Sequence, residues 1–245
     1  ILGDEVKQFE KDFATYCGTK HCIGVGNGLD ALVLIFKAYI HLGKLQKGDE
    51  VIVPANTYIA SILAILQADL VPVLVEPRLE TYNVNPDEIE AKISSKTKAI
   101  LPVHLYGQSA DLEEIVKIAK AQNIVVIEDA AQGVMATYKG RALGSIGDLG
   151  AYSFHETKNV ISGEGGALLV NDPKLALRAE IIREKGTDRS RFFRGEVDKY
   201  TWQEVGSSFL PGEMTAAFLW AQLEEAQAIT HRRLTIWDYY HAALA

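Results

Sequence analysis

The sequence has few cysteines and no excess of positive charge. Cys17 and Cys22 are its only cysteines, which is too few for a disulfide framework, and no second pair is present to complete a zinc site. We therefore expect free thiols in a reducing compartment and no metal centre. The formal net charge of -7 and the lack of a basic stripe argue against binding to nucleic acid.

Long apolar runs are also missing. The longest, such as Leu70 to Val75, fall well short of the ~20 residues that span a bilayer, so we expect no membrane insertion. No signal-peptide pattern opens the chain, and we expect a cytoplasmic protein. Because the chain begins at Ile1 and ends at Ala245 within an amphipathic run, we expect it to be a piece of a longer protein.

Short apolar runs that alternate with helical runs are the main pattern present, and they indicate an α/β fold. Several runs are apolar at successive positions, which is typical of strands covered on both faces. We predict one large domain, residues 1–245, with a mainly parallel sheet of roughly seven strands between helices. The predicted strands are Cys22–Val25, Glu50–Pro54, Val71–Glu76, Lys98–Leu105, Ile124–Asp129, Ala151–His155 and Gly166–Asn171.

Five runs between these strands have helical spacing, and a sixth region follows them. The predicted helices are Leu29–Leu42, Ile59–Ala68, Asp87–Ile93, Leu112–Ala121 and Pro173–Glu184, with one or two more over Glu213–Leu244. The stretch from Lys185 to Phe209 is polar and aromatic without a clear period. Such a stretch indicates a functional loop or a surface that faces a partner.

Ligands of open α/β sheets bind at the carboxyl ends of the strands, so the residues that follow each strand are the first candidates. Asp129 closes one strand, and Lys158 follows the next strand 29 residues later. Alone, Asp129 could be a helix cap or a metal ligand, and Lys158 could be a solvated loop residue. Together they supply what an aldehyde cofactor needs, an amine to form an imine and a carboxylate to keep a pyridine nitrogen protonated.

A glycine-rich turn, Val25–Ala31, lies between the first strand and its helix. Its backbone amides and the helix dipole predict a phosphate site. A dinucleotide fingerprint starting at Gly24 would need a third glycine where Leu29 stands, which weakens the alternative of a nicotinamide-dependent oxidoreductase. Asp30 would repel a phosphate unless its side chain points away.

Aromatic residues follow two further strands. Tyr58 could lie over a planar cofactor or belong to the core. His104 and Tyr106 follow the fourth predicted strand, and either could be a satisfied structural group.

Five motifs together resemble the DegT/DnrJ/EryC1/StrS family of sugar aminotransferases, and the resemblance covers essentially the whole chain. This resemblance implies the type I aspartate-aminotransferase fold and pyridoxal 5'-phosphate as cofactor. The motifs are Gly26–Leu32, Gly48–Pro54, Glu128–Gln132, Ser153–His155 with Lys158–Asn159, and Gly163–Gly166.

The resemblance also implies a role for each matching position. Lys158 would form the Schiff base with the cofactor and move the proton, and Asp129 would pair with the pyridine nitrogen. The other implied contacts are Gln132 at the ring hydroxyl, Ser153 with the backbone of Gly28 and Leu29 at the phosphate, and Tyr58 stacked on the ring. Related dehydratases have histidine in place of the lysine, so Lys158 favours transamination.

The two halves of the chain resemble different members of the family. The second half is similar to dTDP-4-amino-4,6-dideoxygalactose transaminases of O-antigen synthesis, which act at C4, whereas the first half is similar to enzymes that act at C3. His155, beside the lysine, is a position where C3 enzymes tend to have tyrosine. We therefore expect amino transfer from glutamate to C4 of a dTDP-linked 4-keto-6-deoxyhexose, with His155 and Tyr106 as substrate residues and C3 as the alternative.

Family members complete each site with residues of a neighbouring subunit, so we expect a homodimer with shared active sites. Many members have asparagine where Ser208 stands, and Ser208 could replace it. They also continue into a small C-terminal domain beyond the length of this chain. A cofactor-binding relative without turnover is the non-enzyme alternative, which retention of both Lys158 and Asp129 disfavours.

Overall fold

The computed structural model describes residues 2–244 and consists of a seven-stranded sheet between helices. Its strands are β1 (His21–Val25), β2 (Glu50–Pro54), β3 (Val71–Val75), β4 (Thr97–Ile100), β5 (Val125–Asp129), β6 (Thr137–Tyr138), β7 (Arg141–Ala142), β8 (Leu149–Ser153) and β9 (Gly166–Val170). Its helices are α1 (Asp4–Cys17), α2 (Gly28–His41), α3 (Ile59–Gln67), α4 (Pro86–Lys92), α5 (Leu112–Gln122), α6 (Pro173–Arg183), α7 (Arg189–Phe193), α8 (Glu213–Glu224) and α9 (Ala226–Leu244).

The main sheet has the strand order β1-β9-β8-β5-β4-β2-β3, and β6 pairs with β7 in a separate hairpin. Its pairs from β8 across to β3 are parallel, whereas β9 is antiparallel to both of its neighbours. The strands β1, β2, β4, β5 and β8 therefore all run in the same direction. Their carboxyl ends meet at one edge of the sheet, where ligands of such folds bind.

Along the central strands, side chains alternate between the two faces of the sheet, as the period of two requires. Ile127 of β5 faces the layer formed with α2, α3 and α6, whereas its neighbour Val126 faces α4 and α5. On β9, Leu168 and Leu169 likewise face opposite sides of the sheet. Leu168 packs in the layer with α2, α3 and α6, and Leu169 packs on the face with α1 and α8. The sheet is thus covered on both faces, which explains the nearly continuous apolar runs.

Local signals in the sequence account for several helix ends. Helix α6 begins where the Asp172 side chain accepts a hydrogen bond from the Lys174 amide at 2.9 Å, with Pro173 in the first turn. Helix α1 ends at Gly18, which has a left-handed φ of 69°. Glycine adopts that conformation without the steric cost of a Cβ.

The α/β class and the mainly parallel seven-stranded sheet are confirmed, with two corrections. The predicted strand Lys98–Leu105 is too long, because β4 ends at Ile100 and Pro102 cannot donate to a ladder. The predicted strand Ala151–His155 lies two residues too late, since β8 spans Leu149–Ser153. No helix among the described residues is long and apolar enough to cross a membrane.

Candidate active site

Asp129 is the last residue of β5 and lies at the carboxyl edge of the sheet, where it is only 6% exposed. Its Oδ2 accepts a hydrogen bond from Ser61 Oγ at 2.7 Å, and its Oδ1 accepts one from the Ala131 amide at 3.1 Å. Both contacts fix the orientation of the carboxylate, whose oxygens can accept further hydrogen bonds. Residues 2–244 contain no group of three or more His, Cys, Asp or Glu side chains placed to hold a metal ion.

Lys158 lies in the loop after β8 and lines a cleft of about 400 Å³. Its amide donates to the His155 carbonyl at 2.9 Å, which makes a tight turn there. Gln132, three residues beyond Asp129, lines the same cleft. The structure therefore places the amine of the loop after β8 and the Gln132 side chain of the segment after β5 in one cleft. The other lining residues are Tyr106, Thr157 and Asn159.

The glycine-rich turn connects β1 to the first turn of α2. Asn27 caps this helix by accepting a hydrogen bond from the Asp30 amide at 2.8 Å. Gly28 lies against Ser153 so closely that an added Cβ would be 2.7 Å from the Ser153 Cβ. Leu29 is partly buried and packs against the apolar core. The first turn of α2 thus meets the end of β8 here, and Gly28 is required for their close approach.

The Asp30 side chain is directed back into the turn. Its Oδ2 accepts a hydrogen bond from Asn27 Nδ2 at 3.1 Å and lies near Gly26. Burial raises the pKa of the Asp30 carboxyl above its ordinary value, the bond from Asn27 opposes this rise, and the charge of Glu164 adds to it. Because the Asp30 carboxyl is directed back into the turn and is more easily protonated, it repels an anion at the helix N-terminus less strongly.

Tyr58 and Tyr106 are both exposed at this edge. Tyr58 immediately precedes α3 and is 73% exposed, so the alternative that it belongs to the core is wrong. Tyr106 has a left-handed φ of 59° and is 79% exposed, and its amide donates to Gln132 Oε1 at 2.7 Å. This hydrogen bond connects the segment after β4 to the segment after β5.

The His155 ring is held by its own loop. Its Nδ1 accepts a hydrogen bond from the Thr157 amide at 3.2 Å and lies 3.0 Å from Thr157 Oγ1. Nε2 faces Glu164 Oε1 at 3.8 Å. His155 is half-buried and near Lys158 in the chain, but it does not line the cleft that contains Lys158.

Two groups near Asp129 were not found by reasoning from the sequence. Ser61 lies in the first turn of α3, where nothing distinguishes it from an ordinary serine of an apolar helix. Glu128 is fully buried and accepts a hydrogen bond from His104 Nε2 at 2.9 Å, so His104 is a satisfied structural group. A charged residue within an apolar strand was the available signal for Glu128.

The chemistry of these donors fits pyridoxal phosphate. A phosphate needs free amides at a helix N-terminus, which the turn at Gly28 offers beside the Ser153 hydroxyl. A pyridinium nitrogen needs an anionic acceptor, and Asp129 is one with both oxygens already anchored. An aldehyde needs a primary amine, and Lys158 is the lysine that lines the adjacent cleft.

The fold is that of the large domain of type I aminotransferases, and it resembles the solved structure of one that carries a ketimine intermediate. The family model described as "DegT/DnrJ/EryC1/StrS aminotransferase family" matches residues 1–245. The chain belongs to this family, which confirms the resemblance seen in the motifs and the cofactor that it implied.

Known relatives match nearly all of the chain. The dTDP-3-amino-3,6-dideoxy-alpha-D-galactopyranose transaminase of Aneurinibacillus thermoaerophilus is 49% identical over 98% of this chain and 63% of its own length. The GDP-perosamine synthase of Caulobacter vibrioides is 40% identical over 100% of this chain and 63% of its own.

The crystal structure of S. venezuelae DesV, in complex with a ketimine intermediate, superimposes with a TM-score of 0.90 and 38% identity. It covers 100% of this chain and 63% of the DesV chain. The chain thus spans just under two thirds of the length of the relatives that it matches.

Proposed function

We propose that this protein transfers an amino group from an amino acid, with glutamate as the expected donor, to a keto group of a nucleotide-linked 6-deoxyhexose. The observation that carries the proposal is the pairing of an anchored carboxylate, Asp129, with an amine, Lys158, at the same edge of the sheet. When bound, pyridoxal phosphate supplies the electron sink that this transfer needs.

Each residue of the site has a separate task in this proposal. Lys158 Nζ would bind the aldehyde group of the cofactor with loss of water, and after displacement by the substrate amine it would move the proton at the reacting carbon. Asp129 would accept the hydrogen bond of the protonated pyridine nitrogen, and its two existing donors hold the carboxylate in place for this contact. The Gly28 and Leu29 amides and the Ser153 hydroxyl bind the phosphate, and Gln132 binds the ring hydroxyl.

Tyr58 has an exposed ring at the entrance to this edge. We assign it to the face of the cofactor ring, where stacking excludes water from one side. Tyr106 and His155 lie on neighbouring loops, and we assign both to the sugar. Tyr106 has the stronger structural support, because it lines the cleft that contains Lys158.

We propose C3 of a dTDP-linked 3-keto-6-deoxyhexose as the position that receives the amino group. The 49% identical relative is a dTDP-3-amino-3,6-dideoxygalactose transaminase, which supports this regiochemistry over C4. None of the relatives compared above supports amination at C4 with an identity as high as this 49%. C4 retains two arguments, the likeness of the second half of the chain to enzymes that act at C4 and the presence of His155 in the loop of Lys158, and it remains the second candidate.

Incubation of the full-length protein with pyridoxal phosphate, glutamate and each of two dTDP-linked substrates, the 3-keto and the 4-keto isomer, tests the proposal. We expect an amino-sugar from the 3-keto isomer, with nitrogen on C3 by mass spectrometry and NMR, and none from Lys158→Ala. Nitrogen on C4 would overturn the regiochemistry alone. A yellow, cofactor-loaded protein that aminates neither isomer nor any GDP-linked analogue would overturn the activity.

A further inference from the structure

The Asp129 carboxylate has one protein donor on each oxygen. Ser61 Oγ donates to Oδ2 at 2.7 Å, and the Ala131 amide donates to Oδ1 at 3.1 Å. Ser61 is 1% exposed and Asp129 is 6% exposed, so water contributes little to this contact. A hydrogen bond to an ionised group in such surroundings is stronger than one at the surface.

The Ser61 hydroxyl is itself within hydrogen-bond distance of a second hydroxyl, that of Thr57. Thr57 Oγ1 lies 2.8 Å from Ser61 Oγ, at a distance where either atom could donate. Asp129 accepts the single proton of the Ser61 hydroxyl, so Thr57 must be the donor to Ser61. The result is a directed chain from Thr57 through Ser61 to Asp129. Each bond in such a chain polarises the next one.

The position of Ser61 in α3 adds to this effect. Ser61 is the third residue of the helix, and its amide donates to the Tyr58 carbonyl at 3.2 Å. The positive end of the helix dipole therefore lies beside the Asp129 carboxylate. Tyr58, whose ring is assigned to the face of the cofactor, immediately precedes this helix. One segment of chain therefore supplies both this ring and the hydroxyl that binds the Asp129 carboxylate.

We propose that Ser61, supported by Thr57, is a positioning residue that holds the Asp129 carboxylate in one orientation towards the pyridine nitrogen. This inference rests on the proposed function, because it assigns Asp129 to that nitrogen. It adds a polar chain from the loop after β2, which no motif of the sequence revealed.

Ser61→Ala in the full chain removes the donor and leaves Asp129 in place. With cofactor labelled with ¹⁵N at the pyridine nitrogen, we expect its NMR signal to move from the protonated towards the unprotonated position. We also expect the cofactor dissociation constant to rise about tenfold to hundredfold, the range for a hydrogen bond to a charged group. The kcat should fall, whereas the KM for the sugar nucleotide should change little.

Three further variants make the test specific. Thr57→Val keeps the shape of the side chain but removes the outer donor, and its effect should have the same direction and a smaller size. Thr57→Ser restores the hydroxyl and should recover part of the loss. Ser145→Ala is the matched control, since Ser145 is also buried and hydrogen-bonded, to the Ala142 carbonyl at 2.7 Å, but does not contact Asp129.

A wild-type ¹⁵N signal and cofactor affinity in both Ser61→Ala and Thr57→Val would overturn the inference. If Ser61→Ala does not fold, Thr57→Val with its serine counterpart decides the question, because Thr57 is only partly buried. Asp129→Asn distinguishes a failure of the positioning role of Ser61 from a failure of the assignment of Asp129 to the pyridine nitrogen. If it changes the nitrogen signal and Ser61→Ala does not, only the positioning role fails. If Asp129→Asn has no effect, the assignment of Asp129 in the proposed function fails.

Discussion

Lys158 differs from the other lysines of the chain by its position, in the loop after β8 and in the cleft next to Gln132. We expect borohydride to attach the cofactor permanently to this residue alone. Reduction of the reversible carbon–nitrogen double bond between cofactor and lysine makes the link permanent. Peptide mapping by mass spectrometry should find the label on Lys158. Lys158→Arg should remove the label, and Lys174→Arg, an exposed site on α6, should not. Label on any other lysine would refute the assignment.

The two cysteines belong to the core. Burial raises the pKa of the Cys17 thiol to about 12, from an ordinary value of 9.0, despite the opposing hydrogen bond to Tyr152. Burial also raises the pKa of Cys22 well above its usual range. The folded state therefore holds these protons more tightly than the unfolded state, and the stability linked to Cys17 is lost as the pH rises from about 9 to about 12.

From this shift we expect slow alkylation of the folded protein at pH 8. The thiolate is the reactive form, and its fraction at Cys17 is about a thousandfold below that of an unfolded chain at this pH. A time course with iodoacetamide, with the same reaction in denaturant as control, measures the ratio. Rapid modification of the native protein at Cys17 would show that the thiol is not buried as described.

Some residues of the candidate site could be predicted from the sequence, and others could not. Lys158 and Asp129 could be predicted because each follows an apolar strand, and this position brings it to the ligand edge. Ser61 could not, since its partner is 68 residues away and a serine in an apolar helix carries no signal of that contact. Distances across the sheet edge depend on tertiary packing, which no local pattern encodes.

At the scale of elements, Glu128 connects three segments around the end of β5. Its Oε1 accepts hydrogen bonds from the Ile146 and Gly147 amides, both at 2.6 Å, and its Oε2 accepts one from the Gly144 amide at 2.7 Å and one from His104 Nε2 at 2.9 Å. The loop before β8 and the segment after β4 are thus attached to the strand that ends in Asp129.

We expect Glu128→Gln to lower the free energy of unfolding by about 3 kcal/mol, because the amide nitrogen of glutamine would face two donors in a buried site. Denaturant unfolding followed by circular dichroism measures this. The matched control is Glu113→Gln, where an exposed carboxylate pairs with exposed Lys139, and its unfolding midpoint should stay close to that of the wild type. Equal midpoints for all three proteins would contradict the role of Glu128.

Most elements with a local pattern were predicted, although the amphipathic helix α1, Asp4–Cys17, was not. Strand β2, Glu50–Pro54, has the predicted bounds, whereas the antiparallel direction of β9 was not foreseen. A signal existed, since a parallel connection from β8 to β9 would need a crossover helix, which residues 154–165 do not form. Helix α7, Arg189–Phe193, is too short for periodicity to reveal.

At the scale of the whole molecule, the segment from Lys185 to Phe209 is ordered but exposes aromatic rings. Isolated bridges connect Glu184 with Ser208 and Thr187 with Trp202. Phe193 is 69% exposed and Trp202 is 68% exposed. Aromatic and arginine side chains are enriched at the centres of protein interfaces, so this segment has the composition of a surface that faces a partner.

We propose that the partner is a second copy of the chain and that each active site combines Lys158 of one subunit with the Lys185–Phe209 segment of the other. The competing arrangement is a lid that closes over its own subunit, in which the arginines grip the diphosphate of the substrate. The two arrangements differ in which subunit supplies the segment, and a mixing experiment separates them.

Two inactive variants provide this test, Lys158→Ala and Ser208→Tyr, the second chosen to obstruct the segment at an exposed position. If sites are shared, a mixed dimer has one intact site, made of Lys158 from the Ser208→Tyr subunit and the unaltered segment from the other. Random exchange of equal amounts should restore about a quarter of the wild-type activity, because half of the dimers are mixed and each has one working site of two. Light scattering before and after mixing establishes the dimer and its exchange. If the segment closes over its own subunit, both sites of every mixed dimer carry a defect, and activity should stay at the level of the separate variants. A fully active monomer would also refute the shared site.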